Sequence, residues 1–504
     1  MHTISTPTYI MPNTRLLILT TLTLFSASLI QAEDRPNILF IAIDDLNDWV
    51  GYLGGHPQAK TPHMDRLAER GMAFTNAHSP SMVCNPTRTA IMLGLHPSST
   101  GIFGNDPDWR EIEATKDKLT IPRFFKEAGY QTYGAGKIFH ASTFSPTSFY
   151  GYNDPAGWNE FWPSSERQLP DEIGPYQRPV SGSPDRNFDW SPVVAHDSAL
   201  GDGQVVSWSI DKILADKQGP RFNAVGIYRP HEPWYVPQTY FDLYPLEDIE
   251  LPPVIDGDAD DIPATALSRV GRPGRVSPFE LHSWMLEDET LTRWKEAVQA
   301  YLASISFADA MVGKLLDALD ESGRTDNTIV VLWSDHGFHL GEKGRWRKGT
   351  LWGESHRVPF IIAAPGVTKP GSVSGTPVST FDIYSTLTEL TGLEKPEHVQ
   401  GTSLVPILKD PSKSSNRAVV STSAFRTHVV SGERYRYLSY PDGSEELYDI
   451  KNDPHEWHNL ASDPSHAEHK ARLAKWLPKQ NAPRIGGPPG GRPGGGGRRG
   501  AGPG

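Results

Sequence analysis

The chain has 504 residues, 48 Lys and Arg against 60 Asp and Glu, a net charge of −12, and one cysteine. That balance argues against nucleic acid or a bulk polyanion-binding surface, so attraction of an anionic substrate has to be local and confined to a pocket. A single cysteine excludes an intramolecular disulfide and leaves Cys84 as a thiol whose presence needs a reason.

Residues 1–32 read as an export signal, because Arg15 precedes an apolar run over 16–30 and Ala32 offers a small residue for cleavage. The run falls short of the ~20 apolar residues of a membrane span. The expectation is an exported protein (periplasmic, secreted or lumenal), cleaved near Ala32, with no stable membrane anchor.

An unbroken apolar run then reaches Ile43, which predicts a strand buried on both faces, followed by Asp44 and Asp45. Ligands of open α/β sheets sit beyond the carboxyl ends of the strands, so both aspartates are candidate ligands. Thr61 is placed as the cap of a helix starting at Pro62 and stopped by Gly71. In Cys84-Asn85-Pro86-Thr87-Arg88, Pro86 suits the first turn of a helix that runs on through Leu93. Cys84 would sit at the helix N-terminus, where the dipole favours an anionic reacting group, and Arg88 lies one turn on along the same face.

A helix over 119–129 and a strand over 130–137 deliver Lys137 and His140. Residues 141–200 read as long ordered loops, whose Trp158, Trp162 and Trp190 either stack on sugars or fill core. A helix over 205–216 and a strand over 222–228 deliver Arg229 and His231, and the polar, proline-rich stretch 247–287 reads as a surface insertion. The clearest helix spans 295–321, with Tyr301 among its core-facing residues. A strand over 328–333 delivers Asp335 and His336. The following basic loop carries Lys348, and its Arg345 and Arg347 read as a solvated turn. Another buried strand over 359–364 and a helix from Phe381, capped by Thr380, complete this part.

After Phe425 the pattern turns to alternating, Tyr-rich strands over 427–430, 435–440 and 446–449, then a helix over 466–477. Residues 483–504, almost all Gly, Pro and Arg, read as a disordered tail. The predicted class is α/β: a large mixed, mostly parallel sheet sandwiched by helices, with a small C-terminal α+β subdomain carrying an antiparallel sheet. The expected divisions are 1–32, 33–424, 425–482 and 483–504. Three carboxylates converging at strand ends repel unless a cation neutralises them, and oxygen donors favour Ca²⁺ or Mg²⁺.

Residues 81–90 resemble the sulfatase signature, residues 93–97 its continuation, and residues 61–68 the family's N-terminal pattern. Residues 42–46, 136–140, 229–233 and 334–337 resemble the iduronate-2-sulfatase-like branch, within the alkaline phosphatase superfamily. The resemblance implies hydrolysis of O-sulfate esters of sulfated sugars or polysaccharides. It implies that an anaerobic or oxygen-dependent maturation enzyme converts Cys84 to formylglycine. It further implies one calcium ion held by Asp44, Asp45, Asp335, His336 and the modified Cys84. His336 is the softer member of that set, where many sulfatases have Asn. The roles implied are Arg88 and His140 ordering the nucleophile, Lys137 and Lys348 stabilising sulfuryl oxygens, and His231 protonating the leaving oxygen. Two alternatives stay open: a phosphodiesterase or phosphonate monoester hydrolase of the same superfamily, and a catalytically dead secreted carbohydrate-binding protein.

Overall fold

Alternate residues of the first strand, β1 (Asn37–Ile43), face two different cores. Leu39, Ile41 and Ile43 pack on one side of the sheet, and Ile38, Phe40 and Ala42 on the other. The computed structural model describes residues 1–3, 35–141, 151–267 and 276–486, except 165, 172, 173, 176, 217, 414 and 415. The expected leader, from residue 4 on, and the tail from residue 487 therefore lie outside the described residues.

In chain order the elements that build the sheet and cover it are α1 (Pro62–Arg70), β2 (Met72–Phe74), α2 (Cys84–Leu93), α3 (Ile121–Glu127), β3 (Gln131–Gly136) and β4 (Glu160–Trp162). There follow α4 (Gly201–Leu214), β5 (Arg221–Ile227), α5 (Thr292–Glu321), β6 (Thr328–Ser334), β7 (Phe360–Ala363), β8 (Ser372–Ser374) and α6 (Ile383–Leu390). The strand order is β8-β2-β7-β6-β1-β5-β3-β4. Seven of the eight run the same way, and only β7 opposes its neighbours β2 and β6. The mixed, mostly parallel sheet read from the sequence is therefore present.

Helix α5, 30 residues long and so about 45 Å end to end, packs over one face with α1 and α4. Its Asp309 does what was expected of Thr61. Asp309 accepts from the backbone N–H groups of His63 (3.1 Å) and Met64 (2.8 Å) at the start of α1. Thr61 makes no side-chain cap and instead accepts from the Gly51 N–H. Likewise Ser379, not Thr380, caps the turn that opens into α6, by a reciprocal bond with Asp382.

A second sheet, β9 (Val419–Ala424), β10 (Thr427–Ser431), β11 (Tyr435–Ser439) and β12 (Glu445–Asp449), is antiparallel throughout and is followed by α7 (Ala467–Ala474). It begins at Val419, earlier than the change of texture in the sequence. Two further expectations are corrected, and the open reading of the tryptophans is resolved. The stretch 247–287 is not merely surface, since a helix over Pro278–Leu286 buries Leu281 and Met285 completely. Trp158 and Trp190 fill core, and Trp162 packs partly buried against it. Residues 483–486 belong to the folded body: the Ile485 N–H donates to Gly101 O at 2.9 Å and its side chain packs against the core.

Candidate active site and metal centre

Strands β1, β3, β5 and β6 run parallel, so they end at one edge, and the residues that follow them converge. After β1 come Asp44 and Asp45, and after β6 Asp335 and His336, all fully buried. Neighbouring aspartates ordinarily point apart. Asp45 overcomes this with a left-handed backbone (φ 59°), a strained conformation for a non-glycine residue. The turn is held by the Asp45 N–H donating to Asp335 Oδ1 (3.1 Å) and by the Tyr301 hydroxyl donating to Asp45 O (2.7 Å). At the end of β3, Lys137 is brought in tightly because Gly226 on β5 has no side chain. A Cβ there would lie 2.2 Å from the Lys137 carbonyl carbon.

Helix α2 starts at Cys84, as read from Pro86 and the residues after it. Its short polar residues each have a structural task. Asn85 donates to the carbonyls of Gly104 (3.1 Å) and Pro107 (2.8 Å), and Thr87 donates to Ser81 O (2.9 Å). Arg88, fully buried one turn on, spreads its fork over the carboxylates. Nε donates to Asp335 Oδ2 at 2.8 Å, Nη2 to Asp44 Oδ1 at 3.1 Å, and Nη1 to the Lys137 and Ile138 carbonyls. Its guanidinium lies 5.6 Å from the Trp333 ring centre.

The Cys84 sulfur is 1 % exposed and is ringed by His336 Nε2 at 3.2 Å, Lys348 Nζ at 3.4 Å and Lys137 Nζ at 3.8 Å. His140 lies beside it, with Nδ1 buried and without a hydrogen-bond partner. Burial pushes the thiol up, but Lys137, Lys348 and His336 outweigh it and hold it well below the usual thiol range. Burial also raises Asp44, yet Lys137, His231 and Arg88 bring it far below the ordinary carboxylate value. Asp335, by contrast, is pushed up, because burial exceeds the pull of Arg88. Burial pulls His336 down, and the Asp335 and Asp45 carboxylates overcome it, lifting the imidazole to about 9.

Lys137 pairs with Asp44 and Lys348 with Asp45. One Asp45 oxygen, Oδ2, is buried with no hydrogen-bond partner and lies 3.8 Å from His231 Nε2. Such an orphaned carboxylate oxygen is expensive unless a cation meets it. Ligand atoms of Asp44, Cys84, Asp335 and His336 lie within 4.8 Å of one another, as do those of Asp44, Asp45, Cys84 and His231. His336 Nδ1 is 3.0 Å from Gly337 O, which holds one proton there, so Nε2 is the nitrogen that faces this cluster and gives up its proton when a cation binds. Mostly carboxylate donors, one imidazole and an unmet oxygen fit a divalent, oxygen-preferring cation.

All ten residues singled out from the sequence thus meet in one place. Three others were missed. Tyr301 was assigned to core, yet its hydroxyl holds the Asp45 turn and accepts from the Asn47 N–H at 3.0 Å. Tyr228 lies with its ring centre 4.9 Å from Lys137 Nζ and 4.7 Å from the His231 ring. The third corrects the reading of the basic loop as solvated. Arg345 is 1 % exposed, and Arg347 donates to Glu232 at 2.9 Å and Asp185 at 2.8 Å. The Glu232 pair ties the segment that carries Lys348 to the one that carries His231, and the Asp185 pair ties it to a loop earlier in the chain.

Carboxylates, lysines and a buried cysteine at the strand ends of such a sheet are the arrangement of an ester hydrolase of the alkaline phosphatase superfamily. The sulfatase family model matches residues 36–393, and a second model, N-sulphoglucosamine sulphohydrolase C-terminal, matches 341–482. The chain is 39 % identical over 455 residues to a sulfatase of Formosa agariphila, covering 89 % of this chain and 87 % of that protein. It is 31 % identical over 402 residues to human iduronate 2-sulfatase, covering 74 % and 68 % respectively. In fold it is similar to the phosphonate monoester hydrolase of Agrobacterium radiobacter, with a TM-score of 0.69 at 22 % identity, covering 88 % of this chain and 94 % of that one. The chain belongs to the sulfatase family and is a sulfuric ester hydrolase.

Proposed function

We propose that this enzyme hydrolyses O-sulfate esters of sulfated saccharides, using a formylglycine made from Cys84 by a separate maturation enzyme and a calcium ion, with Mg²⁺ as the alternative metal. The observation that carries the reading is the environment of Cys84: a helix N-terminus with two ammonium groups and an imidazole within 3.8 Å of the sulfur. Similarity to an iduronate 2-sulfatase supports a sugar as the alcohol part.

Asp44, Asp45, Asp335, His336 and the modified residue 84 would hold the ion, which supplies charge stabilisation at the sulfuryl oxygens. The hydrated aldehyde at position 84 supplies one hydroxyl to attack sulfur and a second to release sulfate. Lys137 and Lys348, on two sides of that position, bind the sulfuryl oxygens and stabilise the charge that grows on them. Arg88 and His140 orient the attacking group. His231 Nδ1 lies 2.6 Å from Glu232 O and donates there, so Nε2 is the ring nitrogen left to carry a proton towards the ester. From Nε2 the proton passes to the leaving sugar oxygen.

The test is sulfate release from a panel of defined sulfated saccharides, after peptide mass has confirmed conversion of Cys84. Fully converted protein that frees no sulfate from any of them overturns the reading. The structural likeness to a phosphonate monoester hydrolase supports the second reading, which predicts faster turnover of an aryl phosphonate monoester than of an aryl sulfate. Export, with cleavage near Ala32, belongs to the same proposal and is checked by N-terminal sequencing of protein recovered outside the cytoplasm.

A further inference from the structure

Away from the catalytic residues, a cleft of about 700 Å³ opens between the main sheet and the C-terminal one. That is within the range of about 300–1,000 Å³ typical of ligand sites. Its lining brings together Arg357, Arg434, Arg436, Lys451 and Arg472, with Glu433 the one carboxylate among them. On a chain of net charge −12 such a concentration of cations is local and directed. Arg357, Arg434 and Arg436 pair with Asp48, Asp449 and Glu456. Among the described residues no carboxylate lies within ion-pair distance of Lys451 or Arg472. Both are exposed at the rim, Lys451 just after β12 and Arg472 on α7.

The cations come from a strand, a turn, a helix and a loop of the main domain. The two that have no ion-pair partner among the described residues, Lys451 and Arg472, stand on separate elements. A ligand with more than one anionic group can meet both. Thr75 Oγ1 in the same lining donates to Ser374 O and can accept from a ligand hydroxyl. We propose that this cleft is a second binding site, for an anionic, sulfated or carboxylated, stretch of polysaccharide held apart from the ester being cleaved. The choice of ligand rests on the saccharide reading of the active site; the presence of an anion site does not.

The probe is heparin, with neutral dextran as control and a single-stranded DNA oligonucleotide as competitor, measured by titration at two salt concentrations. The proteins are the full chain and the double variant Lys451→Ser, Arg472→Ser, both side chains being exposed and outside the catalytic cluster. Heparin binding to the full chain is expected to weaken with salt. In the double variant it should fall about tenfold, the effect of losing two charge contacts, while hydrolysis of 4-nitrophenyl sulfate stays unchanged. Equal heparin affinity of the two proteins overturns the proposal, and DNA binding as tight as heparin overturns the glycan assignment. Absence of aryl sulfate hydrolysis in both would count against the proposed function instead, and leaves the comparison of affinities readable.

Discussion

Replacing Arg88 by Met tests whether this guanidinium is the internal counter-ion of the buried carboxylates. The side chain is fully buried, as are Asp44 and Asp335, which it meets at 3.1 and 2.8 Å. With an effective dielectric constant of about 20, charges at such distances attract by roughly 5–6 kcal/mol per pair before desolvation is subtracted. Desolvation of three ions removes most of that sum, and breaking a buried pair by deleting one member costs about 3–5 kcal/mol. Methionine keeps the volume of the stem and leaves two carboxylates and two carbonyls without their donor. Urea unfolding followed by tryptophan fluorescence reports the change; for a slope of a few kcal/mol per molar, the midpoint should fall by about 1 M. Arg88→Lys keeps the charge but cannot span both carboxylates, so it should lie between the two. Millimolar Ca²⁺ should restore part of the loss in Arg88→Met, since a ligand of the folded state alone stabilises it by mass action. A methionine variant that unfolds at the parent's urea concentration would refute the assignment.

Cys84→Ala should abolish sulfate release while the circular dichroism spectrum is kept, because the sulfur is a neighbour of the helix start and not part of its bonding. Chelation should lower the unfolding midpoint and stop turnover, with both restored by Ca²⁺; at a free ion concentration 100 times Kd the stabilisation is about 2.7 kcal/mol. Asp309→Ala strips two N–H groups at the start of α1 of their acceptor and should cost about 1–3 kcal/mol in urea unfolding with little change in KM. Burial pushes the Asp309 carboxyl up to about 7, against the pull of the Met64 and His63 N–H groups. The folded state thus holds a proton that the unfolded state loses near pH 4, and the stability this group contributes is lost as pH rises through 7. Asp309→Asn should flatten the slope of stability between pH 5 and 8; an unchanged slope would assign the titration to another group.

The strands were legible because a parallel core strand is apolar on both faces and its run breaks where the ligand-bearing residues begin, as at Ile43-Asp44 and Ser334-Asp335. Convergence followed from parallelism alone. What escaped depends on partners far away in sequence. Arg347 looks like part of a solvated charged loop until Glu232 and Asp185, 115 and 162 residues earlier, are placed beside it. The cap of α1 comes from Asp309, 246 residues beyond His63, whereas local pattern offered only Thr61. Tyr301 fits the helical apolar period so well that its hydroxyl carried no separate signal; only the position of the Asp45 turn gives it a task.

The charges of the site explain why two lysines sit against aspartates that are proposed to hold a metal. Asp44, Asp45 and Asp335 face Arg88, Lys137 and Lys348, so the buried cluster is balanced by the chain's own residues and can fold before any ion arrives. Each lysine takes one oxygen of its aspartate, and Asp45 Oδ2 stays unpartnered. A divalent ion bound there turns a balanced cluster into one with a surplus of two positive charges, which suits a monoanionic ester becoming a dianionic product. On this account Lys348 depends on the ion pairs of Arg347 for its place, and Arg347→Ala should lower kcat more than it raises KM for a small aryl sulfate. Recovery in Arg347→Lys should be partial, because an ammonium cannot reach Glu232 and Asp185 at once; full recovery would show that charge alone, and not the two-pronged anchor, sets the position of Lys348.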